Sequence, residues 1–191
     1  MIERVILAGF GGQGMMLAGK LLAQAAMLEG KYITFFPSYG TEVRGGTAHY
    51  HLIVSTEEIY SPVVEIADTL LIMNQPSYLK FKDRLKSGGS LFLNSSMVEQ
   101  VENDVVPAGR ISEHTVFKIP ATEIASDLGN VLVSNMVMTG AYNAVKKLVP
   151  AAKLLDCLQG VLVGKKASLF EINRLAIKRG EECVLKEIIK S

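Results

Sequence analysis

Cysteine is scarce in this sequence, and the residues present form no metal or redox motif. The chain of 191 residues has two cysteines, Cys157 and Cys183, which lie far apart without a CxxC pair or a neighbouring histidine cluster. Zinc sites and iron–sulfur clusters need grouped thiolate or imidazole ligands, so the sequence predicts neither in this chain. We expect two reduced core thiols in a cytoplasmic protein.

Excess charge and long apolar runs are also missing. The net charge is +1, and no run of lysine and arginine interleaved with aromatic residues occurs outside the C-terminal helices. A general nucleic-acid surface is therefore not expected. The apolar stretch near Val131 is interrupted by Ser134, Asn135 and Thr139, and the first residues lead into a strand rather than a signal peptide. We expect no association with a membrane.

What the sequence does contain is an alternation of apolar strands and amphipathic helices. Apolar residues make up 49% of the chain, enough for one sizeable core. We predict a single α/β domain over residues 1–191, with a mostly parallel sheet flanked by helices, a hairpin or edge strand, and a helical C-terminal part. The predicted strands cover residues 4–8, 32–36, 47–55, 59–61, 68–74, 88–94, 105–107 and 115–120. The predicted helices cover residues 14–29, 75–86, 121–128, 130–148, 150–158 and 166–190.

Three residues of this pattern carry more specific expectations. Pro37 should end the second strand, because proline has no N–H for the ladder and restricts the residue before it. Gly180 should break or bend the last helix. Gly140 lies among small residues on one face of the predicted helix over 130–148, so that face should pack closely against the sheet or a partner subunit.

The stretch around Gly9, Gly11 and Gly14 fits the pattern GxGxxG between a strand and a helix, which predicts a Rossmann-like start. The unpaired N–H groups at such a helix start attract an anion or anchor a loop. A dinucleotide fold also needs an acidic residue at the end of the next strand, but that strand leads into Pro37 and Ser38. The glycines are therefore compatible with an NAD or flavin site, or with a tight turn that only packs helix against strand.

A second glycine loop, over residues 39–46, follows the next strand and should lie beside the first turn on the same edge of the sheet. Glu42 and Arg44 are two positions apart within it, next to Gly45 and Gly46. Arg44 can pair with Glu42 and fix the loop, or present its guanidinium to a phosphate or carboxylate from outside. The sequence leaves both possibilities open.

No catalytic apparatus is evident elsewhere. Residues 47–55 alternate strictly, which places His49 and His51 on one strand face and the apolar Tyr50 and Leu52 on the other. Two histidines at this spacing can bind a metal, but a third ligand is not evident and His114 is distant in the chain, so we predict strand-face roles. The chain has no nucleophile elbow, Cys–His pair or paired carboxylates.

Taken together, four stretches resemble the gamma subunit of the 2-oxoacid:ferredoxin (acceptor) oxidoreductases, a family that acts on pyruvate, 2-oxoglutarate or ketoisovalerate. The stretches are GFGGQGMMLAGKLL, FPSYGTEVRGGTAHYHLIVS, SPVVEIADTLLIMNQPS and FEINRLAIKRGEE, which together span nearly the whole chain. The joint presence of GFGGQG and the YGxExRGG loop is more specific than either loop alone.

The resemblance implies a role within a larger enzyme. The family oxidatively decarboxylates a 2-oxoacid with coenzyme A and passes the electrons to ferredoxin. Thiamine diphosphate and magnesium lie between alpha and beta subunits, and iron–sulfur clusters lie in the beta or ferredoxin-like delta subunits. This chain has no thiamine–magnesium motif and no cluster motif, so it is expected to hold no such cofactor itself and to be non-catalytic alone. Among the substrates, 2-oxoglutarate is mildly preferred.

On this basis the two glycine loops are expected to form one surface that binds coenzyme A or contacts another subunit, and so helps to assemble or close the active site. The residues assigned to that surface are Gly9, Gly11, Gly12, Gln13, Gly14, Tyr39, Glu42, Arg44, Gly45 and Gly46. Two alternatives are an independent oxidoreductase that binds NAD or a flavin through the GxGxxG turn, and a purely structural subunit whose loops touch only protein.

Overall fold

The structure is a computed structural model that describes residues 1–38, 47–99, 101 and 114–190. These residues form a six-stranded sheet flanked by helices. The strands are β1 (Ile2–Phe10), β2 (Tyr32–Ser38), β3 (Thr47–Ser55), β4 (Ala67–Ile72), β5 (Leu85–Asn94) and β6 (Thr115–Ile119). The α-helices of the described residues are α1 (Met15–Leu28), α2 (Gln75–Phe81), α3 (Ala121–Asp127), α4 (Ser134–Lys146), α5 (Ala151–Val161) and α6 (Phe170–Lys190). Short 3₁₀ turns cover Lys82–Arg84, Val131–Val133 and Gly164–Leu169.

The strand order is β2-β3-β1-β4-β5-β6. Strands β1, β4, β5 and β6 pair in parallel, whereas β3 runs antiparallel to both of its neighbours, β1 and β2. Only β3 therefore opposes the common direction, and the predicted α/β fold with a mostly parallel sheet is confirmed. Every residue of β4 is buried, as expected for a short apolar strand inside a parallel sheet.

Both faces of the sheet are covered. The larger core contains Leu52 and Val54 of β3 and packs mainly against α1, α4, α5 and α6. Ile53, between them in the chain, points into a smaller core with Phe81 of α2. This alternation confirms the strand predicted over residues 47–55.

Helices α4 and α6 cross with their backbones in close contact. A Cβ atom at Gly140 would lie closer than 3.0 Å to the Ile177 carbonyl, and one at Gly180 would be equally close to the Val137 carbonyl. The small-residue face therefore packs within the chain, but against α6 rather than against the sheet or a partner subunit as predicted. Of the predicted break or bend at Gly180, the break does not occur, because α6 runs unbroken through this residue, whose missing side chain permits the crossing.

Other differences concern where elements end. Pro37 lies inside β2, opposite Tyr50. An edge strand needs no N–H on its free side, so proline is tolerated there. The predicted strand over residues 59–61 does not form, and this segment is irregular. Helix α2 is shorter than predicted because Leu85 already enters β5. The strand predicted over 105–107 lies outside the described residues.

Two simpler expectations concern the thiols and the membrane. Cys157 and Cys183 are both free, and Cys157 is buried in the larger core. Burial raises the pKa of both thiols, which keeps them protonated near neutral pH. Within the part of the chain that the structure describes, no helix is both long and apolar enough to traverse a bilayer.

Candidate functional site

The carboxyl ends of the parallel strands β1, β4, β5 and β6 lie along one edge of the sheet. The glycine stretch over residues 9–14, which we call the turn, begins in the last two residues of β1 at this edge and leads directly into α1. Open α/β sheets use this edge to bind ligands, because the loops that follow several strands converge there. The turn is thus in the position that the sequence predicted.

Within this turn, the three glycines at positions 9, 12 and 14 meet different requirements. At Gly9 a Cβ atom would lie 2.7 Å from Gln13 Oε1 and 3.1 Å from Met73 Cβ, so a larger residue would displace the Gln13 side chain from its hydrogen bonds. Gly12 has φ +95° and open space around it, so only its backbone conformation favours glycine. Gly14 has φ +73° and also lies against the Asn135 side chain.

Gln13 folds back into the turn and fills its interior. Its Oε1 accepts a hydrogen bond from the Phe10 N–H at 2.6 Å and another from Asn74 Nδ2 at 2.8 Å. Asn74 is itself fixed, because its Oδ1 accepts the Ser77 N–H at 2.9 Å and so caps α2. The turn is thereby tied to the loop that follows β4.

Asn135 holds the other side of the turn. Its Nδ2 donates to the Gly14 carbonyl at 2.9 Å from the start of α4, and its side chain is almost fully buried. We call Gln13, Asn74 and Asn135 the amide clamp. Its contacts come from opposite sides of the sheet, since α2 packs in the smaller core and α4 in the larger one.

The network continues along the edge to β5 and β6. Asn94, the last residue of β5, donates from Nδ2 to the Met73 carbonyl at 3.2 Å and to Thr122 Oγ1 at 2.8 Å. Its Oδ1 accepts the Thr122 N–H at 3.2 Å. These hydrogen bonds connect the loops that follow β1, β4, β5 and β6. The side chains that make them are neutral, so they are suited to holding a shaped surface rather than to acid–base chemistry.

Of the predicted site residues, Gly9, Gly11, Gly12, Gln13 and Gly14 lie together in the turn, with Gly11 and Gly12 exposed. Tyr39, Glu42, Arg44, Gly45 and Gly46 lie outside the described residues. The two strands that flank this second loop are described. Thr47, at its far end, pairs with Phe10 at the end of β1.

Sequence reasoning missed Asn74, Asn94 and Asn135. Asn74 had a readable signal, since an asparagine just before Gln-Pro is a typical helix N-cap. Asn135 had none, because its partner Gly14 lies 121 positions away in the chain. Only the fold brings these two residues together.

The two strand histidines lie in an aromatic row on the smaller-core face. The His49 ring centroid is 5.5 Å from that of His51 and 4.8 Å from that of Phe81. His51 Nδ1 accepts the Val64 N–H at 3.1 Å, which needs a neutral ring. Burial, with smaller contributions from His49 and Arg84, lowers the pKa of His51 to about 4. Within residues 1–38, 47–99, 101 and 114–190, no group of three or more His, Cys, Asp or Glu side chains is placed to hold a metal ion.

Comparison with known proteins adds evidence from the whole chain. The family described as pyruvate ferredoxin/flavodoxin oxidoreductase matches residues 4–183. The chain belongs to this family. The 2-oxoglutarate synthase subunit KorC of Methanothermobacter marburgensis is 34% identical over 187 residues, which is 97% of this chain and 98% of that protein.

Two gamma subunits with lower sequence identity are also similar to most of this chain. The pyruvate/ketoisovalerate oxidoreductases common subunit gamma of Thermococcus litoralis is 26% identical over 160 residues, covering 82% of this chain and 85% of that one. The crystal structure of the keto/oxoacid ferredoxin oxidoreductase gamma subunit from Geobacter sulfurreducens superposes with a TM-score of 0.80 at 28% identity, covering 96% and 99% of the two chains.

Within the family, the chain is a gamma subunit of a 2-oxoacid:ferredoxin oxidoreductase, part of a multisubunit oxidoreductase. These relatives do not favour the alternative of an independent NAD- or flavin-binding enzyme. The turn geometry agrees, because contacts inside the protein already account for Gly9 and Gly14.

Proposed function

We propose that this chain is a non-catalytic gamma subunit whose glycine loops form a docking surface at the active site of a cytoplasmic 2-oxoglutarate:ferredoxin oxidoreductase. The observation that carries the proposal is the amide clamp, which fixes an exposed glycine turn at the carboxyl edge of the sheet. A turn rich in glycine is costly to order, so its fixation by three side chains indicates that its shape matters.

The partners in this proposal are alpha and beta subunits that bind thiamine diphosphate and magnesium, and a delta subunit like ferredoxin. The complex decarboxylates the 2-oxoacid, transfers the acyl group to coenzyme A, and delivers electrons through iron–sulfur clusters to ferredoxin. None of these cofactors resides in this chain, whose part is to assemble or close the active site. Residues 1–191 form one functional domain.

Support for 2-oxoglutarate comes from KorC, which matches this chain along its full length. The gamma subunit of T. litoralis, in contrast, is common to pyruvate and ketoisovalerate oxidoreductases. A gamma subunit shared by two enzymes does not select between their substrates, so we assign the choice of 2-oxoacid to the thiamine-binding subunits. The substrate itself is tested by comparing kcat/KM for 2-oxoglutarate, pyruvate and ketoisovalerate in the native complex; a preference for pyruvate or ketoisovalerate would contradict 2-oxoglutarate as the substrate.

Arg44 is the proposed anion-binding residue of the docking surface, with a coenzyme A phosphate as its ligand. Arg44→Ala should raise the KM for coenzyme A of the reconstituted complex without lowering the melting temperature of the subunit. Glu42→Ala is the matched control. If Arg44 only pairs with Glu42, both substitutions will have the same effect, whereas an external ligand predicts a selective loss for Arg44→Ala. No change in KM would support the purely structural role.

Assembly is tested directly by isolating the native protein under mild conditions. The chain should co-purify in stoichiometric amounts with subunits that contain thiamine diphosphate. Isolation of a lone monomer that binds NAD or FAD at micromolar concentration would overturn the proposal in favour of the independent enzyme.

A further inference from the structure

We infer that Asn135 is a positioning residue, which holds the glycine turn in the conformation used for docking. The inference rests on the proposed function of the turn, and it assigns a role to a side chain on a helix that no docking partner needs to touch. Three observations support it: the bond that Asn135 makes, the way Asn135 is itself held, and the weakness of other restraints on Gly14.

The bond joins α4 to the first turn of α1. Asn135 Nδ2 donates to the Gly14 carbonyl at 2.9 Å, and the same carbonyl accepts the Ala18 N–H at 3.1 Å, the bond that begins α1. Asn135 therefore contacts the point where the exposed turn becomes helix. A shift of this carbonyl would change the direction of both the turn and the helix start.

Asn135 is locked in place by its own contacts. Its Oδ1 accepts the Met136 N–H at 2.9 Å, and its backbone carbonyl accepts Thr139 Oγ1 at 2.7 Å. Its exposed fraction is 2%, and that of Thr139 is 0%. Its side-chain oxygen and its backbone carbonyl are both held within α4, so the Nδ2 donor is directed at Gly14 and can impose that geometry on a softer partner.

Gly14 is such a softer partner. It caps α1 in the left-handed conformation, and no side chain of its own helix bonds to that end. Glycine also loses more conformational freedom on folding than other residues, and the bonds inside the turn join Phe10 to Gln13 without reaching Gly14, so the Asn135 contact adds the restraint at that residue. Asn74 offers a comparable restraint through Gln13, but it also caps α2, so its replacement would damage a helix as well.

The test replaces Asn135 with aspartate in the assembled complex. Asn135→Asp keeps the size of the side chain but removes the Nδ2 donor and places a carboxylate oxygen against the Gly14 carbonyl. The new carboxylate lies in the first turn of α4, where the helix dipole favours it, but it is almost fully buried. The variant should therefore melt at a lower temperature, and its folding is checked by circular dichroism before the constants are measured. Loss of one hydrogen bond of this kind corresponds to a change of about threefold to tenfold in a binding constant.

The expected result is a rise of that size in the KM for coenzyme A, or in the Kd between this chain and the thiamine-binding subunits, with kcat unchanged. Amide hydrogen exchange over residues 9–18 should accelerate in the same complex. Asn143→Asp is the matched control on the same helix. The Asn143 side chain bonds to the backbone of Val149, at 3.0 and 3.1 Å, well away from the turn, so its replacement should lower the melting temperature without changing either constant.

Gly12→Val separates failure of this inference from failure of the proposed function, because it alters the exposed turn itself. If Gly12→Val raises either constant while Asn135→Asp leaves both constants and the exchange rates unchanged, the positioning role is wrong and the docking role stands. If neither substitution changes a constant, the docking role of the turn is wrong, and the inference falls with it.

Discussion

At Gly14, both the backbone conformation and the lack of space for a Cβ atom favour glycine. Its φ of +73° favours glycine, and a Cβ atom there would lie closer than 3.0 Å to Asn135 Nδ2. Gly14→Ala should lower the free energy of unfolding by about 2–4 kcal/mol, from backbone strain and overpacking together. Gly12 has φ +95° but open space around it, so Gly12→Ala should cost only about 1 kcal/mol, from strain alone. Urea denaturation of both variants tests this, and equal losses would contradict it.

His51 makes stability depend on pH. The pKa of His51 falls from 6.5 to about 4 on folding, chiefly through burial, with His49 and Arg84 adding repulsion. Between these values the unfolded chain binds more protons than the folded chain, so stability decreases as the pH falls. The contribution is fully present above pH 6.5 and is lost towards pH 4, and it amounts to at most roughly 3 kcal/mol.

A variant without the titrating ring isolates this effect. His51→Asn can still accept the Val64 N–H through Oδ1 but carries no proton equilibrium in this range. The free energy of unfolding of the variant should depend less steeply on pH between 6.5 and 4 than that of the native protein. Because all other titrating groups are shared, identical slopes would show that His51 does not titrate in this way.

At the scale of elements, the crossing of α4 and α6 is the contact most sensitive to one added methyl group. Gly180→Ala would drive a Cβ atom into the Val137 carbonyl, and backbone atoms cannot rotate away as side chains can. We expect a loss of about 3 kcal/mol in the free energy of unfolding. Gly160→Ala in α5 is the control, since no atom lies within 4 Å of its added Cβ, and it should stabilise the chain by about 0.5–1 kcal/mol. Thermal unfolding of both variants tests this, and an unchanged melting temperature for Gly180→Ala would contradict the predicted clash.

Some elements could be predicted from the sequence, and others could not. Strand β3 was predicted with its correct ends because strict alternation is a local property. Pro37 and Gly180 were misjudged because their local tendency to interrupt was overridden by an edge position and by a neighbouring helix. Propensity describes a residue without its partners, and these partners are distant in the chain.

The candidate site was likewise predicted only in part from the sequence. The position of the turn between strand and helix was predicted, because glycines there leave a local signature, but β1 runs two residues further than predicted and includes Gly9. The amide clamp was not, since Asn74 and Asn135 reach the turn from 61 and 121 positions away. Hydrogen bonds between residues so far apart leave no periodicity in the sequence. The second loop, with Glu42 and Arg44, remains a prediction.

At the scale of the whole molecule, the uncharged character of the clamp bears on substrate choice. Gln13, Asn74 and Asn135 are neutral amides, and their described bonds are made within the chain. A second carboxylate, which distinguishes 2-oxoglutarate from pyruvate, would find no charge partner in the clamp. Discrimination of that kind requires a polar group built to pair with the distinguishing group of the substrate.

An exchange of subunits would therefore locate the choice of 2-oxoacid. In a hybrid complex, this chain is replaced by a gamma subunit from a pyruvate oxidoreductase, while the thiamine-binding subunits are kept. If the contacts that distinguish the two substrates lie on the retained subunits, as proposed, the ratio of kcat/KM for 2-oxoglutarate to that for pyruvate should stay within about threefold of its native value. Steady-state assays of the native and hybrid complexes measure this ratio, with the hybrid's stoichiometry checked first. A preference that follows the exchanged gamma subunit would place substrate-selecting contacts on this chain.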